Sequence, residues 1–177
     1  LLELTGPAMI LTHSQSGPFG WLLGDAYPEL VKGIVALEPS GPPFSRDLSS
    51  PEARDFGLAR LPLHFDPPVT SPSELQLELM KAPREDWKDG WMLREPAPRL
   101  PRLKGKPILI LTSEASYHVQ YDHLISGLLR QCGVEHNHVY LSDAGIHGNG
   151  HMMMLEKNNM DIAALIDDWI GKSMVDA

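Results

Sequence analysis

A chain of 177 residues that is 42% hydrophobic is long enough to bury one sizeable core and reads as a single domain. A formal charge of −8, with no run of Lys or Arg, argues against nucleic acid or an anionic membrane as partner. Apolar runs such as "ILIL" at 108–111 are far too short to span a bilayer.

There is no initiator Met and no signal peptide ahead of the first strand-like segment. The chain therefore reads as starting in mid-domain, as a processed subunit or a fragment, and its compartment is not legible. Residues 8–12, "AMILT", form an apolar run that fits a buried strand. "SGPFGWLLGDAYPEL" follows as a helix with an apolar side of Phe19, Trp21, Leu22 and Leu23. "VKGIVALEP" is a second buried strand, ended by Pro39. Continuous apolar strands separated by helices belong to parallel sheets covered on both faces.

From about Pro39 to Lys104 the character changes, and most of the 16 prolines lie here. Short helices are expected near 71–82 and 84–94. Trp87, Trp91, Met92, Phe44, Phe56 and Phe65 supply apolar anchors, which favours a lid or packed excursion over a disordered linker. Regular alternation then resumes. "KPILILTS" is a third strand, and 119–132 is an amphipathic helix with Leu124, Leu128, Leu129 and Cys132, stopped by Gly133. Cys132, the single cysteine, fits a buried apolar thiol. "HNHVYLSD" is a fourth strand, and after "AGIHGNGH" a last helix at 155–171 carries Ala163, Ile166 and Ile170 on one stripe. The organisation is one domain in three parts: core strands and a strand–helix turn at 1–38, a lid or cap insertion at 39–104, and core completion at 105–177. The fold class is α/β, a mostly parallel sheet with flanking helices that lacks its opening strands.

The chemistry concentrates at three places. A serine nucleophile on a sharp strand-to-helix turn needs small residues two positions away on either side. Ser14 has Thr12 and Ser16 there, whereas Ser16 has Ser14 and the stiff Pro18, so Ser14 is preferred. The motif is imperfect, since G-x-S-x-G appears as Thr12-His13-Ser14-Gln15-Ser16, and a Ser-rich helix start is common. The second place is Glu38, a carboxylate at the tip of a buried strand, on the edge where such sheets bind ligands. Glu114 is the competing acid. The third is the loop with His147 and His151.

Taken together, "HSQSGPF", "VALEP" and "GIHGNGHMMM" with the later Asn pair resemble the C-terminal portion of a serine α/β-hydrolase, from strand five onward. More narrowly they resemble a small esterase branch whose triad acid is a Glu just after strand six. The resemblance covers nearly the whole chain. It implies His151 as general base over His147, because Gly-His-x4-Glu leading into the last helix is the usual end signature. It also places Ser116, not an acid, where most such enzymes carry an Asp, which directs the acid role to Glu38. A Ser14–Glu38–His151 triad would cleave carboxylic esters or lactones through an acyl-enzyme, with the backbone N–H of Gln15 as one oxyanion donor. No metal or cofactor is required. The second oxyanion donor normally comes from the loop after strand three, so the N-terminal half of the fold is expected as a companion chain or missing segment. His13, Trp87, Trp91, Met92, His147 and Met152 are the candidates for a substrate pocket.

Two other classes stay open. One is a catalytically silent hydrolase-fold protein that binds a ligand or partner. The other is a metal-dependent hydrolase built on His136 and His138, which share a strand face but lack a third ligand by spacing; an exposed strand face is the preferred reading.

Overall fold

The computed structural model describes residues 1–44 and 54–175. In chain order the elements are α1 (Leu2–Thr5), β1 (Ala8–His13), α2 (Gly17–Ala26), β2 (Val31–Leu37), β3 (Leu77–Met80), β4 (Gly90–Leu93), β5 (Ile108–Thr112), α3 (Asp122–Gln131), β6 (Asn137–Tyr140) and α4 (Asn159–Val175). β1, β2, β5 and β6 make one sheet in the order β1-β2-β5-β6, with every pairing parallel. All four strands therefore end on the same edge, and the loops that follow them meet there.

The apolar runs divide their side chains between two faces, as the period of two in a strand requires. Ile34 and Ala36 of β2, with Ile108 and Ile110 of β5, join a core with Trp21 of α2 and Leu124, Ile125, Leu128 and Leu129 of α3. Val35, Leu37, Leu109 and Leu111 face the other way, onto Leu141, Met153 and Ile162 and Ile166 of α4. Each fully buried aliphatic contributes roughly 1.5–3 kcal/mol by leaving water. α2 comes close to β2 because it presents glycine to it: a Cβ on Gly24 would sit 2.9 Å from Leu103 and 3.0 Å from Ile34.

The described part of 39–104 packs into the first of these cores through Phe44, Phe56, Leu58, Leu63, Phe65, Leu75, Met92 and Leu93. Asp25 at the end of α2 anchors it too, accepting from the His64 backbone N–H at 3.1 Å and from its ring Nδ1 at 2.6 Å. The helices expected at 71–82 and 84–94 are absent. A single 3₁₀ turn, Pro72–Glu74, precedes an antiparallel hairpin of β3 and β4 instead. Pro83 interrupts any helix there. Asp89 closes the hairpin loop, accepting from Lys81 Nζ at 2.6 Å and Ala82 N–H at 2.9 Å. Burial of Met92 and Leu93 against the core then fixes β4 as strand, a tertiary effect that overrides local propensity.

Smaller shifts occur at the last helices. The helix expected at 119–132 is α3 preceded by a 3₁₀ turn at Tyr117–Gln120, with Cys132 buried just past its end. Burial pushes the Cys132 thiol up to about 12, consistent with an inert apolar role. α4 starts four residues later than expected. Its buried face holds Ile162 and Ile166, whereas Ala163 is exposed.

Candidate active site

β1 delivers Ser14 into a backbone conformation that few residues adopt. Its φ is +54°, and Glu38 at the end of β2 has φ +41°; both are left-handed and neither is glycine. Such residues cost on the order of 1–3 kcal/mol each and persist where the surroundings hold them. The Ser40 N–H donates to the Ser14 carbonyl at 2.9 Å, linking the two strand ends. The turn also needs Gly17, where a Cβ would fall 2.5 Å from the Cβ of Pro39. Ser16 is occupied: its Oγ donates to the His13 carbonyl at 2.8 Å and accepts from the His13 N–H at 2.8 Å. Ser16 Oγ meets the His13 backbone, whereas Ser14 Oγ meets a histidine ring.

That histidine is His151. Ser14 Oγ lies 2.8 Å from His151 Nε2, and His151 Nδ1 lies 2.5 Å from Glu38 Oε2. Glu38 is fully buried and His151 has 17% of its side chain exposed. The Glu38 carboxylate also accepts from the Ser113 N–H and from Ser116 Oγ, each at 2.7 Å. A buried carboxylate with three donors is satisfied as an anion. The acceptor at Nδ1 leaves the proton there and turns the Nε2 lone pair toward Ser14.

The loop that carries His151 is held from behind. Asn149, fully buried, trades side-chain hydrogen bonds with Asn158 at 2.7 and 2.8 Å. Glu156 accepts from Asn149 Nδ2 at 2.9 Å and from the Gly150 N–H at 2.7 Å. The Gly-His-x4-Glu spacing thus has a local purpose, in which Glu156 ties the backbone just before His151. His13 adds a further hold, as its Nε2–H donates to the His151 carbonyl at 2.9 Å and its ring lies 4.6 Å from the His151 ring.

The competing candidates sit apart. Glu114 and His147 pair with each other at 3.3 Å on the surface, and Glu114 accepts from the Gly148 N–H at 2.9 Å. That backbone bond, then His147, holds the Glu114 carboxyl below its ordinary value. Met152 is half-exposed next to His151 in the chain, and Met153 belongs to the core on the α4 side. Trp87, Trp91 and Met92 do not gather around Ser14. Trp87 stacks on His123 at 4.6 Å and on Tyr140 at 5.6 Å, at the β6 side of the sheet. That is three strand spacings from β1, roughly 14 Å. Met92 is buried beneath α3, and Trp91 is 39% exposed on the hairpin.

An apolar recess does adjoin Gln15, and sequence reasoning missed it. It holds about 330 Å³ and is lined by Gln15, Pro18, Phe19, Leu22, Arg54, Arg60 and Leu61. Phe19, expected on the apolar side of the helix, is 61% exposed here, as is Leu61. The signal was the i, i+3 pair Phe19 and Leu22 on the helix after the nucleophile candidate. A larger cavity of about 480 Å³, between 67–69, 74–76 and 93–98, includes none of the three central residues.

The strand face of His136 and His138 is not exposed as expected. His136 Nε2 is 2.7 Å from Ser126 Oγ, and His138 Nε2 is 3.0 Å from Thr112 Oγ1. Burial pushes His138 down to about 3. Ligand atoms of Glu38, His118 and His151 lie within 4.8 Å of one another, a spacing that suits a cation. The Nδ1 atoms of both histidines are already turned to carboxylates, at Asp122 and Glu38.

No protein-family model matches the chain. It is 41% identical over 174 residues, 97% of its length, to a probable secreted lipase, phiG, from a fungus (Fungal sp., strain ATCC 74256). The chain spans about half of that relative, 48% of its length. Among solved structures, a bacterial esterase superposes with a TM-score of 0.54 at 20% identity, over 94% of this chain and 38% of that one. A CIB-like hydrolase from Thermoplasma acidophilum aligns more loosely, with a TM-score of 0.44 at 14% identity over 93% of this chain and 51% of its own. The parallel sheet with its flanking helices and the likeness to the bacterial esterase agree: the chain has the α/β-hydrolase fold, and along nearly all its length it is similar to a probable secreted lipase.

Proposed function

We propose that the chain carries the catalytic machinery of a serine esterase that cleaves carboxylic esters, lactones among them, with Ser14 as nucleophile, His151 as general base and acid, and Glu38 as the carboxylate partner. The observation that carries the reading is the hydrogen-bond line Ser14 Oγ, His151 Nε2, His151 Nδ1, Glu38 Oε2, at 2.8 and 2.5 Å, with Ser14 held at φ +54°. The lipase relative supports ester chemistry.

In this mechanism Ser14 Oγ bonds to the ester carbonyl carbon as its proton passes to His151 Nε2, and the carbonyl oxygen becomes an oxyanion. Glu38 stabilises the imidazolium and holds the proton at Nδ1, which leaves Nε2 as the base. Collapse of the intermediate breaks the bond to the alcohol, which leaves with the proton from His151. Water then gives a proton to His151 as it attacks the acyl-Ser14 ester; the intermediate collapses by breaking the bond to Ser14 Oγ, which takes the proton back from His151, and the acid is released. The Gln15 N–H, at the start of the turn into α2, is one oxyanion donor; losing such a donor costs roughly 10²–10³ in rate. The recess beside Gln15 receives the acyl group.

The strands that precede β1 in this fold come from a preceding segment or a companion chain, which brings the second oxyanion donor. β1 is an edge strand among the described residues, and its Leu11 is 56% exposed. An edge strand with an exposed leucine suits a further sheet partner. The test is turnover of a chromogenic ester by the intact polypeptide and by its Ser14→Ala variant. Activity in the first that vanishes in the second supports the reading. Equal activity in both, or none in either, overturns it.

A further inference from the structure

A second histidine–carboxylate pair stands directly behind the first. The His118 ring lies face to face with the His151 ring, 4.7 Å between centroids and 4° between planes. His118 is 1% exposed, and its Nδ1 lies 2.9 Å from Oδ1 of Asp122, which is fully buried. Asp122 Oδ2 accepts from Thr112 Oγ1 at 2.7 Å, and Thr112 Oγ1 lies 3.0 Å from His138 Nε2. Ser116 joins the two pairs: its Oγ donates to Glu38 and accepts from the His118 N–H at 3.2 Å.

We infer that His118, clamped by Asp122, is a positioning residue for His151, a flat wall that keeps the base in the plane where Nε2 meets Ser14 and Nδ1 meets Glu38. This rests on the esterase reading. The general base changes partners during the cycle, taking a proton from Ser14 and giving it to the leaving alcohol. A ring free to tilt would lose Ser14, and a misplacement of about 1 Å costs roughly 10²-fold. A buried ring lying parallel at 4.7 Å opposes that tilt from one face. Glu38 alone holds one atom of His151, whereas a stacked ring holds its plane.

The wall is also uncharged. Burial pushes His118 down to about 4, with Glu38 opposing that shift and His151, His13 and Arg54 adding to it. Burial likewise holds the Asp122 carboxyl well above its ordinary range. The groups that face His151 are Ser14 and His13 from the end of β1, Glu38 from the end of β2, and Tyr117 and His118 from the turn before α3, with Asp122 of α3 behind them. A neutral His118 keeps water from one face of His151 without adding a like charge to it.

The experiment is kinetic, on the intact polypeptide. His118→Ala is expected to lower kcat about 10- to 100-fold with KM within about twofold, since nothing that touches substrate is removed. The acid limb of kcat/KM moves to higher pH, because water now solvates the imidazolium of His151. His118→Phe, which restores a flat ring, returns the limb toward wild type and recovers most of kcat. Should His118→Ala fail to fold by circular dichroism, His118→Phe alone still decides: a wild-type limb supports the proposal, and a limb displaced upward overturns it. A folded His118→Ala with wild-type kcat and limb also overturns it. Wild-type hydrolysis abolished by Ser14→Ala, measured in the same assay, separates that failure from a failure of the esterase reading.

Discussion

One oxygen of Glu38 is shared between two hydroxyl or imidazole donors: Oε2 lies 2.5 Å from His151 Nδ1 and 2.7 Å from Ser116 Oγ. The Ser113 N–H holds the other oxygen, so the carboxylate cannot swing away from His151. Glu38→Gln keeps the shape but offers His151 an amide in place of a charge. It should cut kcat by roughly 10³–10⁴, the order of loss when a triad carboxylate becomes an amide. Glu114→Gln, on the surface pair with His147, should leave kcat near wild type. Steady-state turnover of both variants checks this, and the reverse order would move the acid role to Glu114.

Ser116→Ala removes one donor from a buried carboxylate and one N-cap from the turn before α3. A hydrogen bond to a charged group is worth about 1.5–3 kcal/mol. Urea unfolding should show a loss of that size, and a loss below about 0.5 kcal/mol would mean the bond adds little.

Gly17→Ala tests the tight turn. The added Cβ would meet Pro39 at 2.5 Å to its Cβ and 2.7 Å to its Cα, both on a chain segment tied to Ser14 by the Ser40 bond. Relief requires the turn and the end of β2 to part, at a cost of about 1–3 kcal/mol. Stability and kcat should fall together, because the same shift separates Ser14 from Glu38. Unchanged kcat with reduced stability would show that the turn relaxes elsewhere.

The recess beside Gln15 predicts a chain-length effect. Leu61→Trp should fill part of its roughly 330 Å³ and exclude the end of a longer acyl group. Loss of two buried methylenes, about 0.8 kcal/mol each, lowers kcat/KM on an octanoyl ester roughly tenfold relative to an acetyl ester. A series of acyl esters on wild type and variant measures it; an equal change for every length would place the acyl group elsewhere.

His138 gives a prediction in pH. Burial takes its folded value down to about 3, from an ordinary value near 6.5. The unfolded chain therefore binds a proton that the native state refuses, and stability present above pH ~6.5 drains away as pH falls toward ~3. At full occupancy the slope is about 1.4 kcal/mol per pH unit. His138→Gln should flatten the fall in urea stability between pH 6 and 4 by nearly that amount. The opposing contribution of Asp122, whose carboxyl is raised by burial, is present in both proteins and drops out of the difference.

Some of this was legible in the sequence because it depends on neighbours in the chain. The β2 and β5 runs are apolar on both faces, which only a sheet covered twice can bury. Ser14 stood out through Thr12 and Ser16, and Glu38 through its place at a strand tip. The rest depends on contacts distant in sequence. β3 and β4 become a hairpin through burial of Met92 and Leu93 against a core that no local pattern reveals. Phe19 looks like a core residue by periodicity, yet the recess exposes it. His118 and Asp122 show only an i, i+4 spacing, and nothing in it announces a ring stacked on His151.

The central claim is that Ser14 is an activated nucleophile. Treat the intact polypeptide with a fluorophosphonate and locate the adduct by peptide mass mapping. The account predicts one phosphonylated serine, Ser14, with labelling lost in Ser14→Ala and slowed at least about 10³-fold in His151→Ala. Folded protein that takes no label, or takes it at Ser16 in place of Ser14, would contradict it.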